Sequence, residues 1–209
     1  MTAGFATTAG LILAQFVTLL VSSASQASPA APLELDPSGT EAAFQLATTW
    51  HAVEGHTRAV SGSLISRSGD IFEDGQVSME VDAASLETGN GMRDRKMRET
   101  CLETSKFPKI TFVSTGPPVI RASKKDPDGG YREVTLEAPG DLTIHGVTRR
   151  VALPATARRD GTGWTFEGKF IVKLSDHSIP DPSILFNKVK DDVTVTFTAK
   201  LRQPGSPAK

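Results

Sequence analysis

Cysteine is nearly absent from this chain: Cys101 is the only one in 209 residues. No intramolecular disulfide can form, so the fold must hold through its core. Cys101 stands at helical spacing from Met97, with no histidine or glycine-rich context beside it, and reads as packing rather than as a nucleophile. Charge is short in two senses. With 23 Lys and Arg against 24 Asp and Glu the net charge is −1, which offers no bulk pull on nucleic acid or an anionic membrane surface. And no charged side chain occurs before Glu34.

The motifs of common chemistries are missing too. There is no glycine loop for cradling phosphates, no GxSxG elbow, no HExxH and no Cys-x-x-Cys. Asp176-His177-Ser178 has the residue types of a hydrolytic trio, but in an extended chain His177 faces away from the other two, so the three cannot meet locally. His51, His56, His145 and His177 lie on separate segments and read as polar surface or rim residues, with no metal expected. The mixed-sign run Arg93-Asp94-Arg95-Lys96 reads as a solvated helix face. No catalytic residue emerges.

What is present begins with LILAQFVTLLV, an apolar run of about a dozen residues, too short to span a membrane and suited to the apolar part of a secretory signal. Ser25-Gln26-Ala27 supplies a small-x-small cleavage pattern, so residues 1–27 are expected to be a signal peptide and 28–32 a flexible Ala/Pro/Ser leader. The alternative is an uncleaved anchor or a misplaced start, because no Lys or Arg precedes the run. A domain is expected over 33–202 and a disordered tail over 203–209, in a periplasmic or secreted protein.

Apolar alternation marks strands at Thr40–Trp50, Val53–Ile65 and Gln76–Leu86, around Ile110 and Phe112, and at Tyr131–Glu137, Asp141–His145, Arg149–Ala157, Trp164–Leu174 and Val189–Leu201. Between Asn90 and Phe107 the period becomes helical, with Asp94/Arg98 and Arg95/Glu99 spaced as ion pairs, until Pro108 stops it. The expected fold is all-β with a helical insertion near 91–106: an antiparallel eight-stranded lipocalin-like barrel, closed because closure removes exposed edges. Such a barrel fills with its own side chains or holds one slender ligand. Phe44, Leu46, Trp50, Leu64, Met79, Val81, Phe112, Leu142, Ile144, Phe166, Phe170 and Phe197 from strand faces, with Met97 and Leu102 from the helix, are the candidate lining of a ligand pocket or, equally, of a packed core.

Four blocks carry a resemblance: Thr49 to Gly55; Arg93-Asp94 with Met97 and then Phe107-Pro108-Lys109-Ile110-Thr111-Phe112; Gly140-Asp141-Leu142-Thr143-Ile144-His145-Gly146-Val147-Thr148; and Val189 to Leu201. On these the chain resembles the YceI-like family of exported lipocalin-like proteins, and departs from it at Asp176-His177-Ser178, where members often show aspartate, an aromatic and glycine. The resemblance implies a barrel that accommodates a long isoprenoid or quinone-like lipid, with no enzymatic step, no cofactor beyond that lipid and no nucleic-acid partner; a homodimer stays open. Burying ten methylenes contributes about 8 kcal/mol gross against an association cost of roughly 4–15 kcal/mol, so a long tail suits such a site. Two alternatives stand beside the carrier. A ligand-free stress-response or structural interaction module would have its barrel filled by bulky side chains, and an enzyme acting on a lipid head group would bring His145, His177 and a carboxylate together at one rim.

Overall fold

Every second residue of Tyr131–Ile144 is small or apolar from Val134 onward, and the strand it forms runs unbroken through Pro139-Gly140. In the computed structural model, which describes residues 32–161, 163–183 and 187–202, this strand is β8. It follows β1 (Leu33–Leu35), β2 (Glu41–Thr48), β3 (Ala52–Thr57), β4 (Val60–Ile65), β5 (Gln76–Asp82), α1 (Gly91–Lys96), β6 (Lys109–Ser114) and β7 (Val119–Lys125), and precedes β9 (Val147–Asp160), β10 (Gly163–Lys173) and β11 (Val189–Arg202). Proline is tolerated inside β8 because its neighbouring edge is interrupted there. Lower down, β6 pairs with Gly140–Thr143 and β7 with Tyr131–Glu137, so Pro139 faces the gap between them, its carbonyl accepting from Thr115 N.

The expected eight-stranded antiparallel barrel is present. Hydrogen bonding passes from β1 to β4, β5, β6, β8, β9, β10 and β11, and β1 closes the ring by pairing Glu34 with Arg202 and Leu35 with Leu201. The β2–β3 hairpin continues the sheet along the rest of β11. Several boundaries differ from the sequence reading. The 53–65 segment divides at Arg58-Ala59, the two strands expected at 131–137 and 141–145 are one, and β1 and β7 are additional. The expected leader peptide, nearly all of the linker after it and the 203–209 tail lie outside the described residues.

The two ends of the barrel are built differently. At one, the 66–75 loop is fixed by Asp74, whose carboxylate accepts from Ser66 Oγ at 2.6 Å and from the Arg67 and Ser68 amides. That loop drives Phe72 into the barrel, edge-on to Trp164 (4.8 Å between centroids) and Tyr131 (5.4 Å) and against Val134, Leu136, Ala155 and Ala157. At the other end β9 and β10 separate. Their ladder stops at Glu167–Thr156. The single 3-10 turn Ser175–His177 fills the gap, its His177 Nδ1 lying 2.9 Å from Val147 O and its Asp176 carbonyl accepting from Arg149 Nε. Asp176-His177-Ser178 is therefore a turn rather than the extended run expected.

Helical structure lies over this splayed end. Asn90 caps α1 by accepting from Arg93 N, and a single π turn, Met97–Cys101, follows. The π turn advances the chain by an extra residue, so the Asp94/Arg98 and Arg95/Glu99 pairs expected from a regular helix do not form among the described residues. Asp94 instead accepts from Thr88 N and Oγ1, while Arg98 donates to Leu86 O. No described helix is long and apolar enough to cross a membrane.

Candidate functional site

Along β11 the inward series is Val193, Val195, Phe197, Ala199, Leu201, and along β6 it is Ile110, Phe112, Ser114. Valines and isoleucine leave space at the splayed end. Phe112, Phe197, Leu35 and Leu64 fill the other end, leaving a residual void of only about 70 Å³. Between the strands and α1 lies a cavity of about 490 Å³, floored by Phe44, Val195 and Ile110 and walled by Leu46, Val53, Ile144, Val172, Leu174, Ile179, Val189 and Val193. Met97, Cys101 and Leu102 cover it from the helical segment, with the largely exposed Met92 at its edge. Its size falls in the range of small-molecule sites, and its apolar wall with a few polar groups is their usual chemistry.

The sequence-derived candidates divide accordingly. Phe44, Leu46, Met97, Leu102 and Ile144 line the cavity. Leu64, Met79, Phe112, Phe166 and Phe197 line the packed half. Leu142 and Phe170 belong to the core cluster between the two, and Val81, half-buried, pairs with Val60 and Ile110. Trp50 is a correction. Strand β2 ends at Thr48, whose hydroxyl accepts from the Trp50 and His51 amides, and in that turn Trp50 is 72% exposed.

Several wall residues escaped the sequence reading. Val193 and Val195 share their alternation with Phe197 and were open to the same argument. Arg93 and Lys96 did not read as wall residues because charge suggests solvent, yet with Met97 and Cys101 they follow 3- and 4-residue helical spacing and lie on the cavity wall. Cys101 is buried as expected, and that burial pushes its thiol up, partly opposed by the Lys96 charge.

Two of the four histidines, expected at the surface or rim, are instead enclosed beside the cavity. His177 is 2% exposed. His145, in the left-handed turn between β8 and β9, has Nδ1 3.2 Å from His177 O and Nε2 3.0 Å from Glu103 Oε2, and its ring packs edge-on against Phe107 at 4.6 Å. Hydrogen bonds from Lys106 and then His145 hold the Glu103 carboxyl below its ordinary value. This contact ties the end of the helical segment to the barrel wall. No cluster of metal-ligating side chains occurs among the described residues.

Known proteins resemble this chain in sequence and in fold. A family model described as the YceI-like domain matches residues 33–201. Protein YceI of Escherichia coli O157:H7 is 34% identical over 113 residues, 50% of this chain and 52% of that protein. A UPF0312 protein of Pseudomonas syringae pv. tomato is 29% identical over 129 residues, 58% and 62% of the two chains. The match thus spans about half the length of the first of these curated relatives. Among solved structures, BcnA of Burkholderia cenocepacia superposes with a TM-score of 0.63 at 21% identity, covering 81% of this chain and 99% of its own. A polyisoprenoid binding domain from Saccharophagus degradans gives 0.63 at 14% identity, covering 82% and 98%. At these identities the superpositions establish the fold.

Proposed function

Because this chain belongs to the YceI-like family, we propose that it is an exported carrier or sequestering protein whose barrel holds the tail of a long isoprenoid or similar amphiphilic lipid. The observation that carries this reading is the cavity of about 490 Å³ with an almost wholly apolar wall, floored by Phe44, Val195 and Ile110 and covered by a short helix. A ligand-free module would have no reason to keep that end hollow while the other is packed around Phe72. The polyisoprenoid binding domain among the structural neighbours supports the choice of tail. The apolar run near the N-terminus supports export to the periplasm or beyond. The five sequence-derived residues on the cavity wall are the proposed tail contacts.

The test is native mass spectrometry of the full chain expressed in an exporting bacterium, then delipidation and titration with polyprenols, quinones and fatty acids. A stoichiometric lipid mass, or saturable uptake after delipidation, is expected; an empty protein that refuses all three sinks the proposal.

A second reading, an enzyme acting on a lipid head group, rests on the meeting of His145, His177 and Glu103. Their contacts run to one another, to Lys106 and to backbone carbonyls, and none of them lines the cavity. Turnover of a lipid ester that His145→Gln abolishes in a folded protein would establish this reading instead.

A further inference from the structure

The cavity wall carries two cationic side chains, Arg93 and Lys96, and no carboxylate. In a chain of net charge −1 this local imbalance is specific to the site. Both side chains are held in place by uncharged acceptors on the wall itself. Arg93 donates from Nε to Thr88 Oγ1 at 2.8 Å and from Nη2 to Thr88 O at 3.0 Å, and Lys96 donates from Nζ to Pro182 O at 3.3 Å. A guanidinium has five N–H donors and an ammonium three, so both keep unused donors.

Neighbouring carboxylates do not neutralise them directly. Asp94 reaches Arg93 only through the Thr88 hydroxyl, which donates to Asp94 Oδ1 while accepting from Arg93. Asp181 is engaged by Ser183, whose hydrogen bonds are the leading cause of its lowered carboxyl, with Lys96 the least of the causes. Among the described residues neither cation forms an ion pair. The Lys96 charge also acts inward, since it is felt at the Cys101 thiol. A cation at the edge of an apolar space with only uncharged acceptors recovers part of its lost hydration, and an anionic ligand would supply more.

We infer that Arg93 and Lys96 form the head-group end of the cavity and select amphiphiles with an anionic head, a lipid phosphate or carboxylate, over neutral alcohols, amides and quinones of the same tail. This rests on the carrier reading above. The geometry suits a tetrahedral or planar oxyanion, which accepts several charge-assisted hydrogen bonds at once, and Asn187 adds a side-chain amide to the polar edge beside the two cations.

The experiment titrates the delipidated full chain, at neutral pH and physiological salt, with a polyprenyl phosphate and its parent polyprenol, and with a fatty acid and its primary amide. Each anion is expected to bind about tenfold or more tighter than its neutral partner, the size of one charge-assisted hydrogen bond. A phosphate-only preference would identify the head as a phosphate; equal preference for both anions would identify the shared charge as the determinant. Lys96→Gln alone, and Arg93→Gln with Lys96→Gln, should move the anion-to-neutral ratio toward one, and melting curves report whether each variant is folded. The single variant guards against loss of the Thr88 contacts. If the neutral lipids bind as tightly as the anions, the inference is overturned and the carrier reading stands; if none of the four binds, the carrier reading itself fails.

Discussion

The ring of Phe44 occupies the space that a side chain on Gly55 would need: the two residues are register partners on β2 and β3, and a Cβ on Gly55 would stand 2.5 Å from Phe44 Cζ and 2.9 Å from the Glu87 carbonyl. Phe112 covers Gly140 and Phe197 covers Gly168 in the same way. An aromatic ring laid over a strand glycine protects its backbone and curves the sheet inward. Phe44 thereby floors the cavity without filling it.

Gly55→Ala should displace that ring toward the cavity. Overpacking of this kind costs about 1–3 kcal/mol, and lipid capacity should fall with it. Chemical denaturation together with a lipid titration checks both; a variant as stable and as capacious as wild type would mean that Phe44 can turn aside.

Phe197 separates hollow from packed barrel. Phe197→Ala should cost about 3–5 kcal/mol while joining the large cavity to the small void beyond it, so that the longest tail accepted in a chain-length series increases. An unchanged length cut-off in the folded variant would place the floor elsewhere.

Cys101 reports on occupancy. Its buried thiol, pushed up by desolvation, should react slowly with iodoacetamide at neutral pH, and more slowly still when a lipid fills the cavity. Equal labelling rates with and without bound lipid would show that the tail does not reach this wall.

Ser178 follows the 175–177 turn with φ 54°, a left-handed conformation that costs a side-chain-bearing residue about 1 kcal/mol. Ser178→Gly should leave stability unchanged or raise it by up to about 0.6 kcal/mol once the greater freedom of the unfolded glycine chain is subtracted. A lower melting temperature would show that the serine is favoured in this turn for another reason.

Acid should loosen the end of the helical segment. The Glu103 carboxyl is lowered from its ordinary 4.5 by Lys106 and His145, so its contribution is fully present above that value and is lost as pH falls through the depressed folded value. The melting-temperature difference between wild type and Glu103→Gln should be positive at pH 7 and shrink below pH 4.5. A difference constant across that window would remove Glu103 from the acid response.

Alternation made the barrel legible, because half-buried strands such as Val189–Arg202 and Tyr131–Ile144 write their inward faces into every second residue. It failed at Trp50, where a hydroxyl-capped turn ended the strand two residues early. It also could not distinguish Phe197, which fills the barrel, from Val195, which lets it open, since both face inward and only the splay of β9 from β10 separates them. The charged wall was hidden for a different reason. Arg93 and Lys96 keep helical spacing with Met97, but their charge assigns them to solvent, and nothing in the local sequence marks Thr88 and Pro182 as the acceptors that hold them on the wall.

The barrel is closed by a strand of three residues, β1, that joins Glu34 to Arg202 and Leu33 to Leu64. Pairing the first described strand with the last makes closure the contact of greatest sequence separation, which is formed late and slowly. A nascent chain still lacking β11 has an open sheet edge where the finished protein has a seam. The ring, and the cavity within it, are therefore complete only once β11 has been made, and a strand of three residues is all that fastens this seam.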